Sequence, residues 1–117
     1  FFFDKICSIP HPSKHEAALS AWIQNWAREQ GLSVMEDKVG NLIIKKPATP
    51  GMEDRKGVVL QAHIDMVAQK TPDSPHDFER DPIRTHIEDG WVYADNTTLG
   101  ADNGMLMVCV SGTAVKI

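Results

Sequence analysis

Leu19, Trp22, Ile23 and Trp26 recur at i, i+3, i+4 and i+7, the spacing that lays apolar side chains along one stripe of an α-helix. Gln24, Asn25, Arg28 and Glu29 take the other faces. Just ahead, Ser13-Lys14-His15-Glu16 has the form of a capping box, in which the Ser13 hydroxyl accepts from the Glu16 N–H and the Glu16 carboxylate from the Ser13 N–H. Gly31 supplies a C-terminal stop. The pattern predicts a helix over 14–30, with Pro10 and Pro12 keeping the preceding segment extended.

Two further patterns have the period of strands. Leu32 to Met35 and Asn41 to Lys46 are short β-prone runs around Glu36-Asp37-Lys38-Val39-Gly40, which reads as a hairpin. His86 to Tyr93 reads as a second hairpin, folded at Asp89-Gly90. Between them, Gly57-Val58-Val59-Leu60-Gln61-Ala62 is a short, bounded apolar run of the kind expected for a central strand buried on both faces. Pro47 to Arg55 reads as a surface loop, and residues 69–85, with three prolines and no periodicity, as a long irregular connection.

Composition narrows the function classes. The 117 residues carry 12 Lys+Arg against 16 Asp+Glu, a formal net charge of −4 without a basic cluster, so nucleic acid is not an expected partner. The longest apolar run, Met105 to Val110, is far below the roughly 18–20 residues of a membrane span. Cys7 and Cys109 stand far apart and form neither a disulfide framework nor a CxxC motif, which suits a reducing cytoplasm. The opening at Phe1 has no signal-peptide pattern; its lack of Met, with a last segment running into Ile117 without a stop signal, makes either processing or a piece of a longer polypeptide the expected origin.

Two short motifs can carry chemistry. In an extended segment His63 and Asp65, at i and i+2, share a face, so one can hold a metal while the other fixes its tautomer. Gly100-Ala101-Asp102-Asn103-Gly104 sets a carboxylate between glycines that allow close backbone approach to a ligand, and Asp102 could ligate a cation. Taken singly, each has an ordinary reading: a hydrogen-bonded histidine at a strand end and an Asp-Asn-Gly turn. His11, His15, His76 and His86 read as solvated surface residues, and Trp22 and Trp26 as core.

Taken together, Ile6 to Glu16, Val59 to Val67 and Thr97 to Gly104 closely resemble the bacterial aminoacyl-histidine dipeptidases, also called Xaa-His or cytosol nonspecific dipeptidases. The similarity runs in order from about Phe2 to Gly104. The resemblance implies the N-terminal part of a zinc-peptidase-like α/β catalytic domain over 1–117, with a mixed sheet, flanking helices, β-hairpins and a long irregular loop, and with the lid or dimerisation domain absent. It implies a dipeptide substrate, a homodimeric parent and two Zn2+ per complete site, with Co2+ or Mn2+ as alternatives. By motif position His63 is implied as a metal ligand, Asp102 as the carboxylate bridging both metals, and Asp65 as the catalytic-site partner that orients His63. Two cations sharing a carboxylate can activate a water and polarise the scissile carbonyl. The family pattern also implies a cis peptide bond at Asp102–Asn103.

The chain departs from the pattern at Ala68, where relatives commonly have Pro, and along the tail from Met105 to Ile117. The family's Glu-Glu pair and its later Asp and His ligands have no counterpart here. The chain alone is therefore expected to bind zinc weakly and not to hydrolyse dipeptides. A non-catalytic metal- or peptide-binding module holding half a site is the alternative. A third reading is a marginally folded piece with open sheet edges.

Overall fold

The computed structural model describes residues 1–99. Asp102, the Asp102–Asn103 bond and the apolar run from Met105 lie outside the described residues. The chain divides into two compact units, Ser20–Leu60 and Phe1–Leu19 together with the residues from Gln61 onward.

In the Ser20–Leu60 unit, most of helix α2 (Ala17–Glu29) is followed by strands β1 (Ser33–Glu36) and β2 (Leu42–Lys45). The expected stop at Gly31 is present as a Schellman motif. Gly31 takes φ +72, its N–H donates to the Arg28 carbonyl at 2.9 Å, and the Leu32 N–H donates to the Ala27 carbonyl at 2.9 Å. Ala27, one residue beyond the expected stripe, is fully buried, whereas Trp22, Ile23 and Trp26 are half-buried. The strands pair antiparallel from Ser33 opposite Lys45 to Glu36 opposite Leu42. Their loop is organised by Asp37, whose carboxylate accepts from the Val39 N–H, the Asn41 N–H and the Asn41 Nδ2 at 2.7–2.9 Å. Those donors, the Asn41 side chain first, hold the Asp37 carboxyl below its ordinary range.

The start of α2 differs from the expectation. The helix begins at Ala17, and the capping box does not form: the Glu16 carboxylate accepts from the Lys14 N–H at 2.6 Å, and the Ser13 hydroxyl bonds elsewhere. Pro12, Ser13, Lys14 and His15 make a turn closed by the His15 N–H on the Pro12 carbonyl at 2.8 Å. Lys14 sits in it at φ 76, a left-handed conformation that costs a non-glycine residue about 1–2 kcal/mol.

The other unit opens with a helix that the sequence patterns did not announce, α1 (Phe2–Cys7), too short for a clear period. Its Phe3 and Cys7, at i and i+4, join a cluster in which Cys7, Met66 and Ile83 are buried and Phe78, Ala94 and Leu99 pack against them. Strands β3 (Thr85–Glu88) and β4 (Trp91–Ala94) form the second expected hairpin, with Glu88 opposite Trp91. Asp89 and Gly90 both take positive φ, 49 and 79, as a type I′ turn requires. Two non-local pairings complete the unit: a parallel bridge between Pro12 and Met66 and an antiparallel one between Lys70 and Thr97.

The α/β class holds, while the ladders among the described residues are two separate antiparallel pairs. Residues 57–62, expected as a buried central strand, join no ladder there, and Val58, Val59 and Leu60 are 81%, 91% and 62% exposed. A strand apolar on both faces is buried only by neighbours on its edges and faces, and no described segment pairs with this one.

Cys7 is buried, and that burial, with Asp4 nearby as a lesser cause, raises its thiol pKa. In the Cys109→Ser variant the remaining thiol is expected to react with Ellman's reagent at least about ten-fold more slowly than free cysteine, with the difference abolished in denaturant. Rapid modification without denaturant would show that the cluster does not cover it.

Candidate functional site

Residues 61–65 belong to no helix or ladder and lead to Met66, which sits in the buried cluster. The Met66 N–H donates to the His11 carbonyl and the Met66 carbonyl accepts from the Ser13 N–H, both at 3.3 Å. This two-sided tie places the residue before it, Asp65, beside Ser13.

Asp65 divides its two oxygens between partners on different segments. Oδ1 accepts from His63 Nδ1 at 2.8 Å, and Oδ2 accepts from the Ser13 hydroxyl at 2.6 Å. His63 Nδ1 also lies 3.1 Å from the Asp65 backbone carbonyl. With Nδ1–H committed as donor to two acceptors, the neutral ring keeps its second lone pair on Nε2. His63 is 62% and Asp65 41% exposed at the side chain, so this is an open surface site. The Ser13 hydroxyl first, and His63 second, hold the Asp65 carboxyl below its ordinary range. A lowered carboxyl pKa means that the tie is fully present above the ordinary value and is lost as pH falls through the lowered one.

A second junction carries the chain toward the other motif. The Thr98 hydroxyl donates to the Val67 carbonyl at 2.7 Å, the Thr98 N–H to the Gln69 carbonyl at 2.8 Å, and the Thr71 N–H to the Asn96 carbonyl at 3.1 Å. The long loop thus leaves and returns on one short antiparallel seam. Val67 follows His63 by four positions, and Asp102 follows Thr98 by four.

The structure brings His63 and Asp65 together as their spacing suggested. The member that sequence reasoning missed is Ser13, assigned there to the helix cap; nothing local to Ser13 marks a partner so distant in sequence. The donor chemistry suits a divalent metal: an imidazole with Nδ1 on a carboxylate and Nε2 available is the usual form of a histidine ligand. Among the described residues no three His, Cys, Asp or Glu side chains gather into a fuller set.

The remaining histidines are more engaged than their sequence contexts indicated. His11 is buried rather than solvated, its Nδ1 donating to the Ile9 carbonyl at 2.6 Å. His76 is half-buried, edge-on to Phe78 at 4.6 Å between ring centres. His86 stacks on its cross-strand partner Tyr93 and bonds Asp95 Oδ1 through Nδ1 at 2.7 Å. His15 remains on the surface, 3.7 Å from Glu79.

No family model matches the chain. It is 61% identical over 105 residues to a protein of Escherichia coli strain K12 described as cytosol non-specific dipeptidase, covering 90% of this chain and 22% of that one. Among solved structures it matches aminoacylhistidine dipeptidase from Vibrio alginolyticus with a TM-score of 0.83 and 68% identity, over 88% of this chain and 21% of the other. The chain therefore spans about a fifth of the length of these relatives, and the resemblance read from its three motifs holds along most of its own length. The likeness in structure supports an α/β fold corresponding to part of a dipeptidase.

Proposed function

We propose, from this likeness to aminoacylhistidine and cytosol non-specific dipeptidases, that the chain contributes one side of a metal-dependent dipeptidase centre acting on unblocked dipeptides, with Xaa-His as the candidate substrate class. The observation that carries the reading is the seam at Thr98. Lys70 stands opposite Thr97, the Thr98 N–H donates to the Gln69 carbonyl and the Thr98 hydroxyl to the Val67 carbonyl. The first residues of the Thr97 to Gly104 motif thus lie against the end of the Val59 to Val67 motif.

His63 would present Nε2 to a divalent metal, zinc in the first instance with cobalt or manganese as substitutes, and Asp102 would share a second ligand position between two ions. The chemistry such ions supply when bound is polarisation of the scissile carbonyl and a lowered pKa for the attacking water. Asp65 holds His63 in the Nδ1–H tautomer and strengthens Nε2 as a donor. The cytosol in the name of the Escherichia coli relative is the proposed compartment. No helix among the described residues is long and apolar enough to cross a membrane.

The test is calorimetric titration with zinc or cobalt of this chain and of its Asp102→Ala variant, with hydrolysis of an Xaa-His dipeptide assayed in parallel on the chain and on the polypeptide as the cell makes it. A catalytic zinc normally has three protein ligands, whereas the motifs supply two here. The chain alone should therefore bind metal weakly, through Asp102, without turnover, and the cellular product should turn over. Binding indifferent to Asp102 would overturn the ligand assignment. A cellular product that binds metal without hydrolysing dipeptides would leave the alternative, a non-catalytic metal- or peptide-binding module.

A further inference from the structure

Ser13 is free for another task because the helix cap it was expected to form is absent, with Glu16 committed to the Lys14 N–H. Its hydroxyl instead lies 2.6 Å from Asp65 Oδ2. We propose that Ser13 is a positioning residue for the candidate metal centre: its hydroxyl fixes the rotation of the Asp65 carboxylate, which in turn fixes the tautomer and orientation of His63. This inference rests on the metal-centre reading above.

Three observations carry it. First, an aspartate carboxylate turns broadly about its last torsion, with a two-fold preference, and at 41% exposure water competes for both oxygens. A partner on each oxygen, His63 on Oδ1 and Ser13 on Oδ2, removes that freedom, which neither contact alone would do. Second, the Ser13 backbone is itself anchored. Its N–H is bonded to the Met66 carbonyl in the parallel bridge, and the turn that follows is closed even though it holds Lys14 in a left-handed conformation. A strained non-glycine residue that persists next to a site is a mark of a geometry held for use. Third, the hydroxyl has another acceptor, the Met66 carbonyl at 3.4 Å, but the contact to the charged oxygen is much the shorter, as expected of a charge-assisted bond.

The test compares the wild type with Ser13→Ala and Ser13→Thr by nitrogen-15 NMR of the histidine rings without metal, followed by cobalt titration. Wild type and Ser13→Thr, which keeps a hydroxyl, should show His63 as a single tautomer with the proton on Nδ1. Ser13→Ala should show a mixture of tautomers and bind cobalt about ten-fold more weakly. The His86 ring, held by Asp95, should be unchanged in all three and so reports that the variants are folded. A His63 spectrum and cobalt affinity unaltered by Ser13→Ala would overturn the proposal, as would a loss that Ser13→Thr does not restore. If the wild type binds no cobalt, the metal-centre reading fails, while the ring spectra still decide whether Ser13 sets the state of His63.

Discussion

Replacing His63 by alanine in the polypeptide as the cell makes it should cut dipeptide hydrolysis by at least about 100-fold, with a parallel loss of zinc affinity, since even the outer partners of a metal ligand are commonly worth 10–100-fold. The reason for the size lies in what remains. His63 is the only member of the described trio with a donor nitrogen left over, because Asp65 already spends one oxygen on His63 and the other on Ser13. Asp65→Asn makes the informative comparison. The amide oxygen can still accept from His63 Nδ1, and the amide nitrogen can donate to a Ser13 hydroxyl turned around, so the ring orientation survives while the negative charge is lost. Its loss should therefore fall within about 10–100-fold and below that of His63→Ala. Equal losses in the two variants would make Asp65 itself a ligand. Full activity in His63→Ala would remove the histidine from the centre.

Local chemistry and long-range chemistry were legible in this sequence to very different degrees. Asp89-Gly90 and Gly31 were readable because a type I′ turn and a Schellman stop each need positive φ at one or two residues, and few residues supply it cheaply. His63-Ile64-Asp65 was readable because two residues on one face of an extended chain must be near each other. Ser13 was misread for the complementary reason. Its pattern with Glu16 satisfies a local rule in which the hydroxyl accepts from a backbone N–H, whereas in the fold the hydroxyl donates to a carboxylate brought in from far along the chain, a charge-assisted bond. The two arrangements need the side chain in different places, and only the fold reveals that the Pro12–Met66 bridge brings Asp65 within reach. The same holds for residues 57–62: an apolar run shows that burial is wanted, but the neighbours that supply it are a property of the assembled sheet. His11 is a further instance, since two flanking prolines suggest exposure while the bridge to Met66 covers it.

Met66→Ala should be among the most destabilising single changes in the unit that holds His63, costing about 2–5 kcal/mol. The side chain is 3% exposed and sits in the cluster with Cys7 and Ile83, against which Phe3, Phe78, Ala94 and Leu99 pack, so truncation leaves a cavity lined by groups from four separate stretches of chain. Against a total stability of about 5–15 kcal/mol for a typical domain, that is a large fraction. Urea unfolding should show a lower midpoint with an unchanged slope, as expected when stability rather than exposed area changes. Met66→Leu, which nearly conserves volume, should cost less than about 1.5 kcal/mol. The effect should also reach the site. Asp65 is placed by the Met66 backbone, whose N–H and carbonyl are tied to His11 and Ser13, and a side chain that no longer anchors that point lets both 3.3 Å bonds lengthen. Metal affinity should accordingly fall in Met66→Ala and not in Met66→Leu. Val59→Ala supplies the contrast: at 91% exposure it should change stability by no more than about 0.5 kcal/mol. A cost for Val59→Ala approaching that of Met66→Ala would mean that residues 57–62 are covered in the protein under test, and the exposed apolar run would then belong to its core.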